Sequence, residues 1–160
     1  MCTGFPGLPW VSRVWLSSLA AVVLLFPRAS RAVLGGDVSS VKKDQARLKA
    51  SLRVAPAERY ALHEMKASTG TSVREYADPS GRVFAVAWEG PWRPDLRQLL
   101  GPYYADFEKA VKGKRTGHSG PLVSATPRLV IEMSGRPRAF YGRAFVPDLA
   151  PPGVDPAEIR

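Results

Sequence analysis

A run of six apolar residues, 83–88, restricts the fold of this chain more than any other feature of its sequence. It follows Asp78–Gly81, whose order Asp, Pro, Ser, Gly is the one that a type I turn prefers. A short apolar run between turn signals is typical of a strand that is buried on both faces. Strict alternation divides the run into a small-residue face, which a helix can approach closely, and a large-residue face. The two sets are Val83, Ala85 and Ala87 against Phe84, Val86 and Trp88.

The other elements predict an α+β domain with an antiparallel sheet of about five strands. Alternation and turn residues place three strands at 58–67, 71–77 and 83–88, and two or three more at 122–124, 129–133 and 138–146. The first of these ranges also permits a helix. We interpret 33–150 as a single domain, followed by an extended C-terminal tail over 151–160.

Two helical regions accompany the predicted sheet. An N-terminal helix is predicted over 37–52, where Asp37 can serve as its cap. A central helix begins at Asp95, and its apolar residues keep helical spacing through Gly101 and Pro102. Either this helix kinks there, or Gly101 ends one helix and Pro102 starts another. Helices and strands in this order predict that the helices pack on one face of the sheet.

Residues 1–32 have the organisation of a signal peptide. Their apolar run, 14–26, follows Arg13 and is too short to cross about 30 Å of hydrocarbon as a helix. Ser30 and Ala32 supply the small residues that signal peptidase reads, so cleavage is predicted after Ala32. The alternative is an uncleaved membrane anchor. After cleavage the chain would have no membrane span.

The composition excludes several kinds of site. A single cysteine, Cys2, rules out a disulfide framework, a thiolate zinc site and an iron–sulfur centre. Two histidines without ligand spacing predict no metal site, and no cofactor is expected. The formal net charge is +9, but arginine outnumbers lysine and asparagine is absent, as a GC-rich genome would impose on almost any protein. The charge alone is therefore modest support for an anionic partner.

Aromatic and arginine side chains cluster around the connector before the central helix. Trp88, Trp92 and Tyr104, with Arg93 and Arg97, could form a platform for sugar rings or another ligand with an apolar face. The alternative is that these residues pack the helix onto the sheet. Trp92, between two prolines, is the strongest candidate for binding.

A basic, glycine-rich segment follows the central helix. Lys112, Lys114, Arg115 and His118 could contact phosphate-bearing envelope polymers, or they could form a solvated loop. Nucleic acid is disfavoured as a partner, because an exported protein rarely meets it and no aromatic residues are interleaved with these cations.

No catalytic motif is complete. Residues 117–121 have proline where a nucleophile elbow requires glycine, and 113–116 interpose an arginine in a P-loop pattern. His63 and Glu64 are adjacent on a predicted strand and should face opposite sides. An enzyme of this sequence would use carboxylates or a tyrosine around the connector. The candidates are Glu75, Glu89, Asp95 and Tyr104.

Two segments, Gly81–Pro91 (GRVFAVAWEGP) and Pro94–Gly101 (PDLRQLLG), resemble a family of small exported proteins of Gram-negative bacteria, domain of unknown function 2844. Shorter similar segments are Leu34–Asp37 (LGGD), Arg74–Tyr76 (REY) and Gly142–Ala144 (GRA). The resemblance covers essentially the whole mature chain and implies export and a shared fold. It implies no activity, substrate or catalytic residue.

The sequence therefore favours a non-catalytic accessory or binding domain in the periplasm or outside the cell, with an envelope polymer or a protein as partner. The alternative is a small envelope enzyme. Glu89 or Asp95 in a concave site beside Trp88 or Trp92, with a shifted pKa, would favour the enzyme. The same carboxylates capping a helix or paired with arginines would favour the binding domain.

Overall fold

Seven antiparallel strands form a single sheet in the computed structural model, which describes residues 1, 34–41, 45–46, 49–113 and 120–160. The strands are β1 (Ser51–Pro56), β2 (Ala61–Lys66), β3 (Ser72–Ala77), β4 (Val83–Gly90), β5 (Leu122–Ala125), β6 (Val130–Arg136) and β7 (Ala139–Phe145). Their order in the sheet is β1-β2-β3-β4-β7-β6-β5. The antiparallel sheet and all six predicted strands are confirmed, with β1 as an additional strand. The predicted number of about five was too low.

β4 lies in the middle of the sheet, between β3 and β7. Each of the six residues 83–88 is at most 2% exposed. The predicted burial of this run on both faces is confirmed, and β4 joins two groups of consecutive strands into one sheet.

A bulge near the start of β4 decides which side chains share a face. Tyr76 pairs with Ala85 and Ala77 pairs with Val83, so Phe84 is the extra residue. The helix-side core contains Val83, Val86 and Trp88, whereas Phe84, Ala85 and Ala87 belong to the cluster on the other face. Strict alternation is therefore wrong here, because the bulge places two consecutive residues on one face.

Two short helices, α1 (Leu96–Leu100) and α2 (Tyr104–Gly113), connect β4 to β5. Gly101, with a φ of 47°, ends α1, and Pro102 lies in a 3-10 turn that leads into α2. The alternative of two separate helices is therefore confirmed, and a single kinked helix is wrong. Both helices pack against one core, to which they contribute Leu96, Leu99, Leu100, Tyr104 and Phe107. Within the described part of the chain, no helix has the length and apolar character needed to span a bilayer.

The segment before the sheet differs from the predicted helix over 37–52. Val38–Ser40 forms a 3-10 turn capped by Asp37, and Ser51–Pro56 is already β1. Residues 42–44 and 47–48 of this segment lie outside the described residues. The predicted capping role of Asp37 is confirmed, but the predicted helix is wrong over 38–40, which form a 3-10 turn, and over 51–52, which belong to β1. β1 was missed because it is an edge strand with four exposed residues out of six, which leaves little alternation to recognise.

The C-terminal tail packs against the face of the sheet opposite the helices. Ile159 is 1% exposed and lies in the cluster that contains Phe84 and Phe145. The hydroxyl of Tyr76 donates to the carbonyl oxygen of Arg160 at 2.9 Å. The packing of the tail gives this second face of the sheet a core of its own. No sequence pattern indicated that the tail would pack there.

Candidate functional site

The face of the sheet opposite the helices is only half covered. The C-terminal tail lies over Tyr76, Phe84 and Phe145, while the neighbouring parts of the strands carry polar side chains that reach solvent. We call this second area the open face. Its side chains are Glu64, Arg74, Glu89, Val123, Glu132, Ser134, Tyr141 and Arg143.

Charged side chains cross the open face in a row that the strand register creates. Glu64 pairs with Arg74, and Arg74 pairs with Ala87. Ala87 pairs with Arg143, which in turn pairs with Glu132. Residues directly opposite each other share a face, so the row contains an anion and a cation on each side of a central alanine.

Both arginines of the row bind carboxylates. Arg74 Nε lies 3.2 Å from Glu64 Oε1, and Arg74 Nη2 lies 3.0 Å from Glu89 Oε1. Arg143 Nε and Nη2 donate to Glu132 Oε2 at 3.1 and 2.9 Å. Partial burial alone would lower the pKa of Arg74, but its bonds to the two carboxylates outweigh burial and raise the pKa above its ordinary value. The row is therefore made of charge pairs.

A groove of about 420 Å³ extends over the open face. It is lined by β5, β6 and β7, by the end of β4, and by Ile159 and Arg160 of the C-terminal tail. Tyr141 and Val123, which are 58% and 67% exposed, also line it. The tail thus buries one half of this face and borders the groove on the other half.

Gly142 separates Tyr141 from Arg143 and fixes the position of Trp88 beneath them. It pairs with Trp88 across the strands, and a β-carbon at residue 142 would lie 2.4 Å from Trp88 Cζ2. Trp88 is 2% exposed and belongs to the helix-side core. The indole therefore packs against the strand from below, and its side chain is not part of an exposed platform.

The chain matches the family model described as "Protein of unknown function (DUF2844)" over residues 30–159. It belongs to this family. Two segments that carry the family resemblance, 74–76 and 142–144, lie in β3 and β7 and supply both arginines of the row. Searches of curated proteins and of solved structures found no match.

The other residues of the predicted platform occupy separate positions in this DUF2844 protein. Trp92 is 62% exposed in the connector after β4. The guanidinium of Arg97 stacks on Tyr104, 4.6 Å from the ring centroid. Arg93 stacks in the same way on Phe140, at 4.7 Å. The structure thus brings Arg97 and Tyr104 together and directs Arg93 to a ring outside the predicted set.

The predicted basic segment can be located only at its start. Lys112 is exposed near the end of α2. Lys114, Arg115 and His118 lie outside the described residues.

The four residues of the enzyme alternative do not converge. Glu75 is fully buried on the helix side of the sheet, whereas Glu89 lies on the open face. Asp95 accepts hydrogen bonds at 2.9 and 3.2 Å from amides in the first turn of α1, as a helix cap does. Tyr104 lies beneath Arg97. Among the described residues, no group of three or more histidine, cysteine or acidic side chains could hold a metal ion.

A buried histidine lies on the helix side of the sheet. His63 is 6% exposed and stands directly opposite Glu75 in the pairing of β2 with β3. Glu64, its neighbour in sequence, lies on the other face in contact with Arg74, as the two-residue period requires. Burial lowers the pKa of His63 below its ordinary value, so the folded chain favours the neutral imidazole.

This burial makes the stability of the fold depend on pH. The unfolded chain binds a proton at His63 more readily than the folded chain does, so the free energy of unfolding falls as the pH drops below about 6.5. For one proton the slope is at most about 1.4 kcal/mol per pH unit. Urea unfolding at pH 7.5 and 5.5 should show this loss in the natural chain and a smaller loss in His63→Leu. The matched control is His118→Gln, which changes the other histidine. An equal loss in His63→Leu and the natural chain would contradict the prediction.

Apart from Glu89, the side chains of the open face were not among the sequence-based candidates. The alternation in Tyr141-Gly142-Arg143 and in Glu132-Met133-Ser134 does indicate strands with one polar face. It does not reveal which strands are neighbours. That knowledge is needed to see that Arg143 meets Glu132, and that Glu89 and Tyr141 stand side by side.

Proposed function

We propose that this chain is an exported, non-catalytic binding domain that acts in the periplasm or outside the cell on an envelope component or a protein partner. The observation that carries this proposal is the groove on the open face. It combines exposed Tyr141 and Val123 with charged groups that are held in place by one another. A rigid surface of this kind supplies contact area and hydrogen bonds with little loss of side-chain freedom.

The roles of the carboxylates on the open face and at the start of α1 favour binding over catalysis. Glu89 lies in an ion pair with Arg74, and Asp95 caps α1. Glu132 accepts two hydrogen bonds from Arg143. A general acid or base needs a pKa near the working pH and a free path to the reacting atom. Carboxylates that hold arginines or cap a helix are suited instead to shaping a surface.

Export is the second part of the proposal. It is supported by the pattern of residues 1–32, with its apolar run and the small residues Ser30 and Ala32.

Site-specific photo-crosslinking in cells that naturally express the chain tests both parts. A photoreactive phenylalanine analogue replaces Tyr141 in the groove. The matched control places the same analogue at Val54, which is 52% exposed at the far edge of the sheet and on its helix side. We expect discrete adducts from position 141 and none of the same mass from position 54. We also expect the adducts in the extracytoplasmic fraction, on a chain that begins at Val33.

Two results would overturn the proposal. Identical adducts from both positions, or none from position 141, would exclude the groove as the binding site. An intact Met1 on a cytoplasmic chain would exclude export. Because Tyr141 is exposed, the substitution should leave the unfolding temperature unchanged, and this is checked before crosslinking.

A further inference from the structure

The charges that line the groove are balanced, although the chain as a whole has a net charge of +9. Glu89 and Glu132 line it together with Arg143 and Arg160. Glu132 is bound to Arg143, and Glu89 is bound to Arg74 beside the groove. An anionic polymer would gain no net attraction here, and it would have to compete with carboxylates that the arginines already hold. The groove therefore suits a ligand without charge.

We propose that the groove on the open face binds a neutral glycan chain, an inference that rests on the proposed binding function and specifies its ligand. A sugar hydroxyl is both a donor and an acceptor, so it can bond to a guanidinium and a carboxylate that are already paired. Arg143 and Glu132, at 2.9 Å, offer such a donor and acceptor together. Ser134, which also lines the groove, adds a hydroxyl that can donate or accept.

Tyr141 supplies the apolar contact that a sugar ring requires. Its side chain is 58% exposed and lies between Glu89 and Ser134, its partners on the neighbouring strands. The face of an aromatic ring carries negative charge and attracts the C–H groups on one side of a pyranose. Tyrosine provides this area on only two rotatable bonds, so little entropy is lost when it is fixed. An exposed ring with hydrogen-bonding groups on both sides matches a sugar, whose ring face is apolar and whose edge is polar.

The position of the groove favours a glycan over an extended peptide. Peptides in extended form bind most readily by adding a strand to a sheet edge, where backbone N–H and C=O groups are free. The floor of this groove is formed by β4, β7 and β6, each of which pairs with a strand on both sides, whereas β5, an edge strand, lines only its outer margin. Recognition on this floor must come from side chains. Hydroxyl groups arranged along a glycan can use side chains alone.

Isothermal titration of the full chain with defined probes tests this proposal. The probes are a cello-oligosaccharide and a chito-oligosaccharide, both neutral, and polygalacturonate as the anionic polymer. We expect at least one neutral probe to bind, with little change in affinity between low and high salt. Tyr141→Ala should lower that affinity about tenfold or more, whereas Tyr141→Phe, which keeps the ring, should stay within about threefold.

Trp92→Ala is the matched control, because it removes an exposed aromatic ring that does not line the groove. Its affinity for the neutral probe should equal that of the natural chain. The glycan proposal is overturned if neither neutral probe binds, or if Tyr141→Ala and Trp92→Ala weaken binding equally. Binding of polygalacturonate alone, lost at high salt, also overturns it. If the glycan proposal fails, protein adducts from position 141 in the crosslinking experiment would still support the proposed binding function. The absence of such adducts would contradict the binding function as well as the glycan proposal.

Discussion

Replacing Ile159 by alanine is expected to lower the free energy of unfolding by about 2–5 kcal/mol, although the residue lies in the last turn of the described chain. Ile159 is 1% exposed and packs in the cluster of the second face with Phe84 and Phe145. Truncation removes apolar contacts and leaves a cavity between the C-terminal tail and the sheet. Equilibrium unfolding in urea, followed by tryptophan fluorescence, measures the change.

The control for this prediction is Val123→Ala, which shortens an apolar side chain that is 67% exposed. It should change the free energy of unfolding by no more than about 0.5 kcal/mol. Ile159→Val should give an intermediate cost of about 0.5–1.5 kcal/mol. If Ile159→Ala were as mild as the control, the tail would not be a part of the core, and the covered half of this face would need another explanation.

The tail and the open face are connected through Arg143. Its Nη1 donates to the carbonyl oxygens of Pro156 and Ile159, at 2.8 and 3.2 Å, while its Nε and Nη2 donate to Glu132 Oε2. One guanidinium therefore joins the tail to the charged row. A docked tail orients Arg143 toward Glu132, so loss of the tail should disturb the groove as well as the core.

The sequence predicted the centre of the fold well, because its signals there are local. The apolar run 83–88 and the turn Asp78–Gly81 lie next to each other in the chain. The break at Gly101 likewise depends on the conformational preferences of adjacent residues. Features that depend on contacts between distant segments were missed. The burial of Ile159 depends on residues more than seventy positions away, such as Phe84, and no local pattern records such a contact.

The prediction of the candidate site was limited in the same way, because its contacts join segments that are distant in the sequence. Sequence proximity suggested that Trp88, Trp92 and Tyr104 share a surface, but one is buried, one is exposed in a connector and one lies under Arg97. The open face instead joins Arg74 to Glu89 and Arg143 to Glu132, which are close only because of strand pairing. Register, which the sequence does not state, determines these contacts.

Replacing Phe84 by alanine is expected to lower the free energy of unfolding by about 3–5 kcal/mol, the larger of the two core effects. Phe84 is fully buried at the bulge of β4. Its ring centroid lies 6.3 Å from that of Tyr60, edge to face, and 6.3 Å from that of Tyr76. The substitution removes both ring contacts in addition to the buried area. Urea unfolding monitored by circular dichroism measures the loss.

A double-mutant cycle then tests whether Phe84 lies on the face of the sheet that the tail covers. Strict alternation would place it with Val86 and Trp88 on the helix side instead. Phe84→Leu and Ile159→Val alter one cluster, so their effects should be coupled by at least about 0.5 kcal/mol. Leu100 belongs to the helix-side core, and Leu100→Val combined with Phe84→Leu should be additive within about 0.5 kcal/mol. These mild substitutions keep the double variants folded. Coupling to Leu100 and additivity with Ile159 would place Phe84 under the helices and contradict the bulge. Coupling to Ile159 and additivity with Leu100 would instead establish that the inserted residue of β4 places the Phe84 ring on the face that the tail covers.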